Sequence, residues 1–134
     1  MCVFCDIVSG KQESDIVFRK KTHVAFLDIA PINEGHILIV PALHVDNLID
    51  LPDDIWMDMT NSARDIIAAL SLTYNNKGYT VMQNGYGNCD FGHLHLHVIP
   101  RNPDDGFGWV TSEDPREHSM AVVEKIRANL KNIE

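Results

Sequence analysis

Apolar residues along the chain fall into short alternating or continuous blocks at some places and recur with helical spacing at others, and the two patterns divide it into elements. Ile16-Val17-Phe18 and His23-Val24-Ala25-Phe26-Leu27 predict two strands joined by the basic turn Arg19-Lys20-Lys21-Thr22, a hairpin. Breakers in Ala30-Pro31-Ile32-Asn33-Glu34-Gly35 mark a loop; His36-Ile37-Leu38-Ile39-Val40 is then a β-rich run, with His36 at its start and Pro41 ending it. From Asp50 the period changes. Asp50 suits a cap, Pro52 the first turn, and Trp56, Met59, Ala63, Ile66, Ile67 and Leu70 predict a long helix whose apolar stripe belongs to the core. Gly78 to Gln83 predicts another strand, Asn84-Gly85-Tyr86-Gly87-Asn88 a polar turn-forming loop, and His93 to Ile99 a last strand. Asn102 to Gly106 opens an irregular tail, after which Asp114-Pro115 predicts the start of a C-terminal helix carrying Met120, Val123, Ile126 and Leu130. Strands on both sides of one long helix favour an antiparallel α+β layer fold.

The length of 134 residues suits a single domain over 1–134, with 1–110 as its core and 111–134 as a C-terminal tail or helix. A formal net charge of −8 argues against long nucleic acid as a partner, because nonspecific affinity there comes from basic residues neutralising phosphates. It leaves room for a small phosphorylated ligand in a local pocket. The longest apolar runs are too short to span a bilayer, and no basic segment followed by an apolar core opens the chain, so a cytoplasmic protein without membrane attachment is expected. Three cysteines, two of them as Cys2-x-x-Cys5, point to metal binding or redox chemistry rather than a disulfide framework. The redox reading is the weaker, since no helix is predicted after the pair.

The densest chemistry lies in His93-Leu94-His95-Leu96-His97. A lone histidine on a strand is ordinarily a hydrogen-bonded structural residue. Three in strict alternation put every imidazole on one face of an extended segment and Leu94, Leu96 and Val98 on the other, an arrangement suited to a metal site, a catalytic site, or both. Two chemistries stay open at this point. The three could together ligate an open catalytic zinc, or one of them could be a nucleophile, which needs one ring nitrogen held as N–H and the other aimed at the reacting atom. His23 and His118 have no comparable context and are expected on the surface.

The row His93-Leu94-His95-Leu96-His97-Val98-Ile99 resembles the signature of the histidine triad (HIT) nucleotide hydrolases and transferases at every position. The likeness extends to Cys2-Val3-Phe4-Cys5-Asp6-Ile7-Val8-Ser9-Gly10, Ala25 to Ile29, Gly35 to Pro41, His44-Val45-x-Asn47-Leu48 and Gln83-Asn84, in order. The resemblance implies a five-stranded antiparallel sheet with one long helix and a C-terminal helix, paired into a homodimer. It also implies a nucleotide hydrolase in which His95 attacks the α-phosphorus of a phosphoanhydride or phosphoramidate, forms a nucleotidyl-histidine, and is freed by water with release of a nucleoside monophosphate. His97 and His36 would donate hydrogen bonds to phosphate oxygens as charge builds. Asn84 would bond phosphate or hold the loop, Asp28 would accept the ribose hydroxyls, and Phe4, Ile7, Phe26 and Ile29 would sandwich the purine base. In members with the cysteine pair the metal partners imply His44 and His93, giving a closed structural Zn2+ site with Cys2 and Cys5. Mg2+ accompanying a polyphosphate substrate is a further expectation. One departure concerns the segment before the triad: where many members carry Gly-Gln-Ser/Thr, this chain has Asn88-Cys89-Asp90-Phe91-Gly92. Asp90 is then a candidate proton donor or acceptor at the pocket or a partner orienting a triad histidine, and Cys89 a thiol near the pocket. A nucleotidyl transferase and a non-catalytic nucleotide-binding or zinc-stabilised interaction protein are the competing readings.

Overall fold

The structure is a computed structural model that describes residues 2–85, 92–114, 116 and 118–133. In chain order it contains α1 (Val3–Ser9), β1 (Ile16–Arg19), β2 (His23–Leu27), β3 (Ile37–Pro41), a 3-10 turn (Leu48–Asp50), α2 (Asp53–Tyr74), β4 (Gly78–Met82), β5 (Leu96–Arg101) and α3 (Met120–Lys131). The strands form one sheet in the order β1-β2-β3-β5-β4, and every neighbouring pair is antiparallel. The expected α+β fold with a five-stranded antiparallel sheet is what forms.

Alternation along the strands sorts side chains between two layers. On one face Ala25, Ile37, Ile39, Leu94, Leu96 and Val98 pack against Met59, Ala63, Ile66 and Leu70 of α2. On the other, Val24, Phe26, Leu38 and Val40 pack against Phe4 and Ile7 of α1. Because both faces of β3 are covered, its sequence reads as a continuous apolar run, and every residue of it is buried.

Four local expectations need correction. The long helix begins at Asp53, not near Asp50: Leu51 before Pro52 is held extended (φ −81°, ψ 128°), as the residue before a proline prefers, so Leu48–Asp50 closes as a separate 3-10 turn and Pro52 sits at the cap. A helix does follow the cysteine pair. Cys2 is its N-cap, with Sγ accepting the Cys5 N–H, and Gly10 ends it in the left-handed conformation at φ 84°. Val3, Ile7 and Val8 are weak helix formers; what holds the helix is burial of Phe4 and Ile7 and the Arg19 guanidinium, which donates to the Val8 and Ile7 carbonyls at 2.9 and 3.1 Å. The absence of a helix therefore no longer counts against redox chemistry at Cys2 and Cys5. The triad segment enters the ladder only at Leu96; His93, Leu94 and His95 run ahead of it, tied by the Leu94 N–H to the Val45 carbonyl at 2.7 Å. Alternation survives there because Leu94 is buried on the α2 side. The C-terminal helix starts at Met120 with Ser119 as its cap, later than Asp114.

His23 is also not a surface residue: it is 1% exposed. Thr22 Oγ donates to Asp58 (3.0 Å), so it accepts from His23 Nδ1 (2.8 Å); the other ring nitrogen then accepts from the Ser62 hydroxyl (2.8 Å), whose oxygen accepts from Lys20 Nζ (3.0 Å). Each donor in this buried relay meets an acceptor, which links the β1–β2 turn to α2. His118 is exposed. No helix among the described residues is long and apolar enough to cross a membrane.

Candidate functional site

On the α1 side of the sheet a cavity of about 1110 Å³ opens between α1, the segment leading into β1, and the end of β2. Its apolar wall includes Phe4, Ile7, Ile16, Phe26 and Leu38, and His95 and His97 line it from β5 and the segment before. Asp28 and Ile29 stand at its mouth, Ile29 almost wholly exposed. Phe4 is shared between the apolar wall and the triad: its ring packs edge-on against Phe26 at 5.7 Å and against His95 at 5.2 Å.

Hydrogen bonds set the tautomer of each triad histidine, and the settings differ. His95 Nδ1 lies 2.9 Å from the His93 carbonyl. A carbonyl can only accept, so Nδ1 carries the proton and Nε2 carries the lone pair. His93 is the reverse: its Nε2 lies 2.9 Å from the Pro41 carbonyl and donates to it, so the lone pair is on Nδ1. For His97 the setting comes through a second histidine. The Ile32 N–H donates to His36 Nδ1 at 3.0 Å, which leaves the His36 proton on Nε2; that N–H faces His97 Nδ1 at 2.9 Å, with the Asp28 carboxylate 3.6 Å away. His97 thus accepts on Nδ1 and carries its own proton on Nε2. A lone pair on His95 Nε2 and an N–H on His97 Nε2 are thereby fixed on adjacent imidazoles whose centroids are 4.9 Å apart. Burial pushes the pKa of His36 down, against the opposing pull of Asp28, and keeps the ring in the neutral form this relay needs.

Two groups of side chains bring metal-ligating atoms together among the described residues, and only one suits an ion. Asp28, His36 and His97 form the unsuitable group, because His36 Nε2 holds its proton toward His97. In the other group, Cys2 Sγ and Cys5 Sγ lie 3.3 and 3.5 Å from His93 Nδ1, and Cys5 Sγ lies 3.2 Å from His44 Nδ1. Both imidazoles present a lone pair, since His93 Nε2 donates to Pro41 and His44 Nε2 faces Asp46 at 3.2 Å. These outer partners orient ligand histidines in the usual way. The four residues could bind a metal ion. Burial and the neighbouring Cys2 sulfur push the Cys5 thiol up, so bringing both thiolates together calls for a cation. The three triad imidazoles do not converge on one ion, which removes the open catalytic zinc.

Asn84 follows β4, where its carbonyl accepts from Gln83 Nε2 at 2.6 Å, and it is not part of the cavity wall. Asp90 and Cys89 lie outside the described residues. What sequence reasoning missed is mostly backbone: the carbonyls of Pro41 and His93 and the amide of Ile32, which no residue pattern signals. Val3, Ile16 and Leu38 of the wall were also missed as pocket residues, being indistinguishable from core in the sequence.

Comparison with known proteins agrees with this geometry. The HIT domain model matches residues 9–104. The chain is 30% identical to the Candida albicans protein named adenosine 5'-monophosphoramidase HNT1, over 99% of this chain and 93% of that one. It superimposes on a HIT family protein from Bacillus anthracis with a TM-score of 0.87 and 29% identity, covering 99% and 96% of the two chains. It matches a Zn-bound histidine triad family protein from Mycobacterium smegmatis with a TM-score of 0.75 and 29% identity, covering 99% and 97%.

Proposed function

The chain belongs to the HIT domain family, and on that premise we propose that it hydrolyses a purine nucleoside phosphoramidate or phosphoanhydride at the α-phosphorus through a nucleotidyl-histidine on His95. The observation that carries this reading is the bond between His95 Nδ1 and the His93 carbonyl, which makes Nε2 the basic nitrogen of a ring on the cavity wall. In the first step Nε2 attacks phosphorus, a P–N bond to the ring forms, and the bond to the leaving amine or phosphate breaks with its electron pair, the amine nitrogen taking a proton from solvent that the attacking water returns in the second step. In the second, water attacks the same phosphorus, the bond to Nε2 breaks, and the nucleoside monophosphate leaves while His95 is regenerated. His97, with its proton on Nε2, stabilises charge on a phosphate oxygen; His36, expected from the resemblance to face phosphate as well, is not on the cavity wall and instead turns its N–H to His97 and holds it in that tautomer. Asp28 accepts the ribose hydroxyls at the mouth, and Phe4, Ile7, Phe26 and Ile29 enclose the base. Asn84 would bond phosphate or hold the loop it begins, and Asp90 would serve as a proton donor or acceptor or as a partner orienting a triad histidine. The names of fungal relatives such as HNT1 favour the phosphoramidate class, though Mg2+ would accompany a polyphosphate if one is used.

Cys2, Cys5, His44 and His93 would hold a structural Zn2+. Tetrahedral zinc places sulfur and nitrogen donors about 3.5 Å apart, close to the separations found here, and four protein ligands leave no position for substrate. When bound, the ion would tie α1 to the segment preceding β5. A homodimer is supported by apolar surface left uncovered: Met120, Ile126 and Leu130 of α3 are each more than half exposed, as are Tyr79 on the edge strand β4 and Trp109. The test of the reaction is a panel of adenosine phosphoramidate and diadenosine polyphosphates with product chromatography. Adenosine monophosphate should appear from the phosphoramidate with wild type and fall at least about 10³-fold with His95→Ala. Full turnover by His95→Ala would overturn the assignment.

A further inference from the structure

The most heavily bonded carboxylate in the described structure lies outside the catalytic row, and its bonds lead to His36. The side chain of Asp105 is 6% exposed. Its oxygens accept from Arg101 Nε and a second guanidinium nitrogen at 2.6 and 2.9 Å, from Asn33 Nδ2 at 2.8 Å, and from the backbone N–H groups of Asn102 and Phe107 at 3.2 Å. The Arg101 guanidinium and the Asn33 amide hold it well below the usual carboxylate range, so it stays ionised. Asn33 is the bridge. Its side-chain amide also donates to the Pro100 carbonyl at 2.8 Å, on the strand that carries His97. Its own carbonyl accepts the His36 N–H at 3.1 Å, and the preceding residue supplies the N–H that fixes His36 Nδ1 as an acceptor.

We propose that Asn33 and Asp105 are positioning residues, which anchor the loop before β3 to the end of β5 and so hold the Ile32 amide against His36 Nδ1. His36 then has one available tautomer, and through it His97 has one. Without the anchor the loop can move from the ring, His36 can shift its proton to Nδ1, and its Nε2 lone pair would then meet His97 Nδ1. His97 answers by taking the proton on Nδ1 and turning a lone pair, rather than an N–H, toward an anionic phosphate. The expected loss is in the transition state more than in ground-state binding, because the donor matters most as charge builds. The proposal rests on the nucleotide-hydrolase reading for its kinetic consequence but not for its structural one.

The test combines 15N NMR of the imidazole nitrogens in the full chain with steady-state hydrolysis of adenosine phosphoramidate. Wild type should show His36 and His97 unprotonated at Nδ1 and protonated at Nε2. Asn33→Ala should show mixed tautomers at both rings, with kcat reduced about tenfold or more and KM within about threefold. Asp105→Asn, which keeps the side chain's size and removes its charge, should show the same pattern more weakly, and it decides the matter if Asn33→Ala does not fold. Unchanged tautomers in the folded variants, or a loss confined to KM, overturns the proposal. Hydrolysis that survives His95→Ala would instead overturn the nucleotidyl-histidine reading, while the NMR comparison, which needs no substrate, still decides the positioning role.

Discussion

Gly35→Ala probes how the loop carrying His36 is pinned against the long helix. Gly35 has φ 88°, and a Cβ there would stand 2.6 Å from Tyr74 Cε2, 2.8 Å from its hydroxyl oxygen and 3.0 Å from Cζ. Two costs add. A non-glycine residue in the left-handed region loses about 1–2 kcal/mol. Overpacking costs about 1–3 kcal/mol, and here the low end applies, because Tyr74 is only half-buried and its ring can tilt. The sum, about 2–3 kcal/mol, is a large share of the roughly 5–15 kcal/mol that holds a domain together. For a chain of this size it lowers Tm by about 6–15 °C. Urea denaturation followed by circular dichroism reads it directly. Repeating the substitution in a Tyr74→Leu background separates the costs: the overlap goes, the backbone cost stays, and Gly35→Ala should then cost about 1–2 kcal/mol. A loss below about 0.5 kcal/mol in the wild-type background, or the same loss in both, would mean that Tyr74 does not pin the loop at Gly35.

Other outcomes follow from the same structure. Met59 is fully buried between α2 and the sheet, so Met59→Ala should destabilise by about 2–5 kcal/mol in urea titration, whereas a cost under about 1 kcal/mol would mean the core is misassigned. Burial depresses the pKa of His23 and His36 below the ordinary 6.5, Lys20 adding to the depression at His23. Between that depressed value and 6.5 the unfolded chain binds more protons, so stability should be full above about pH 6.5 and decline as pH falls through this window; a melting temperature flat from pH 7.5 to 5 contradicts it. Stripping metal with a strong chelator should lower Tm in wild type, by an amount equivalent to about 4 kcal/mol if the ion was present at 1,000 times its Kd, and do little to Cys2→Ser/Cys5→Ser. Equal chelator effects on both would place the ion elsewhere.

Much of the architecture was legible because its causes are periodic. α2 buries a stripe at helical spacing, β1 alternates half-buried with exposed positions, β3 is covered on both faces and reads as a short continuous apolar run, and the breakers Pro31 and Gly35 bracket the turn that delivers His36. α1 was not legible. Seven residues give no measurable period, three of them are β-branched, and the helix owes its existence to Phe4 and Ile7 docking on a sheet face that forms from distant strands. His23 was misplaced for a related reason: its burial depends on Ser62, which lies 39 residues away and on another element. At the site, the pattern of alternating histidines announced a cluster but gave its members no individual chemistry. Their differences are set by which ring nitrogen meets a carbonyl, an amide or a second imidazole, and backbone groups are the same at every residue. The helix start at Asp53 shows the reverse case, a proline rule that was available in the sequence and outweighed by the appeal of Asp50 as a cap.

A covalent bond between His95 Nε2 and the α-phosphorus leaves a stereochemical record at phosphorus. Hydrolysis of a single diastereomer of an adenosine phosphoramidothioate in 18O-labelled water makes the phosphorus of the product chiral. Attack by His95 and then by water is two displacements, each inverting, so net retention is expected. Net inversion would mean that water displaces the leaving group in one step, and it would contradict His95 as the nucleophile.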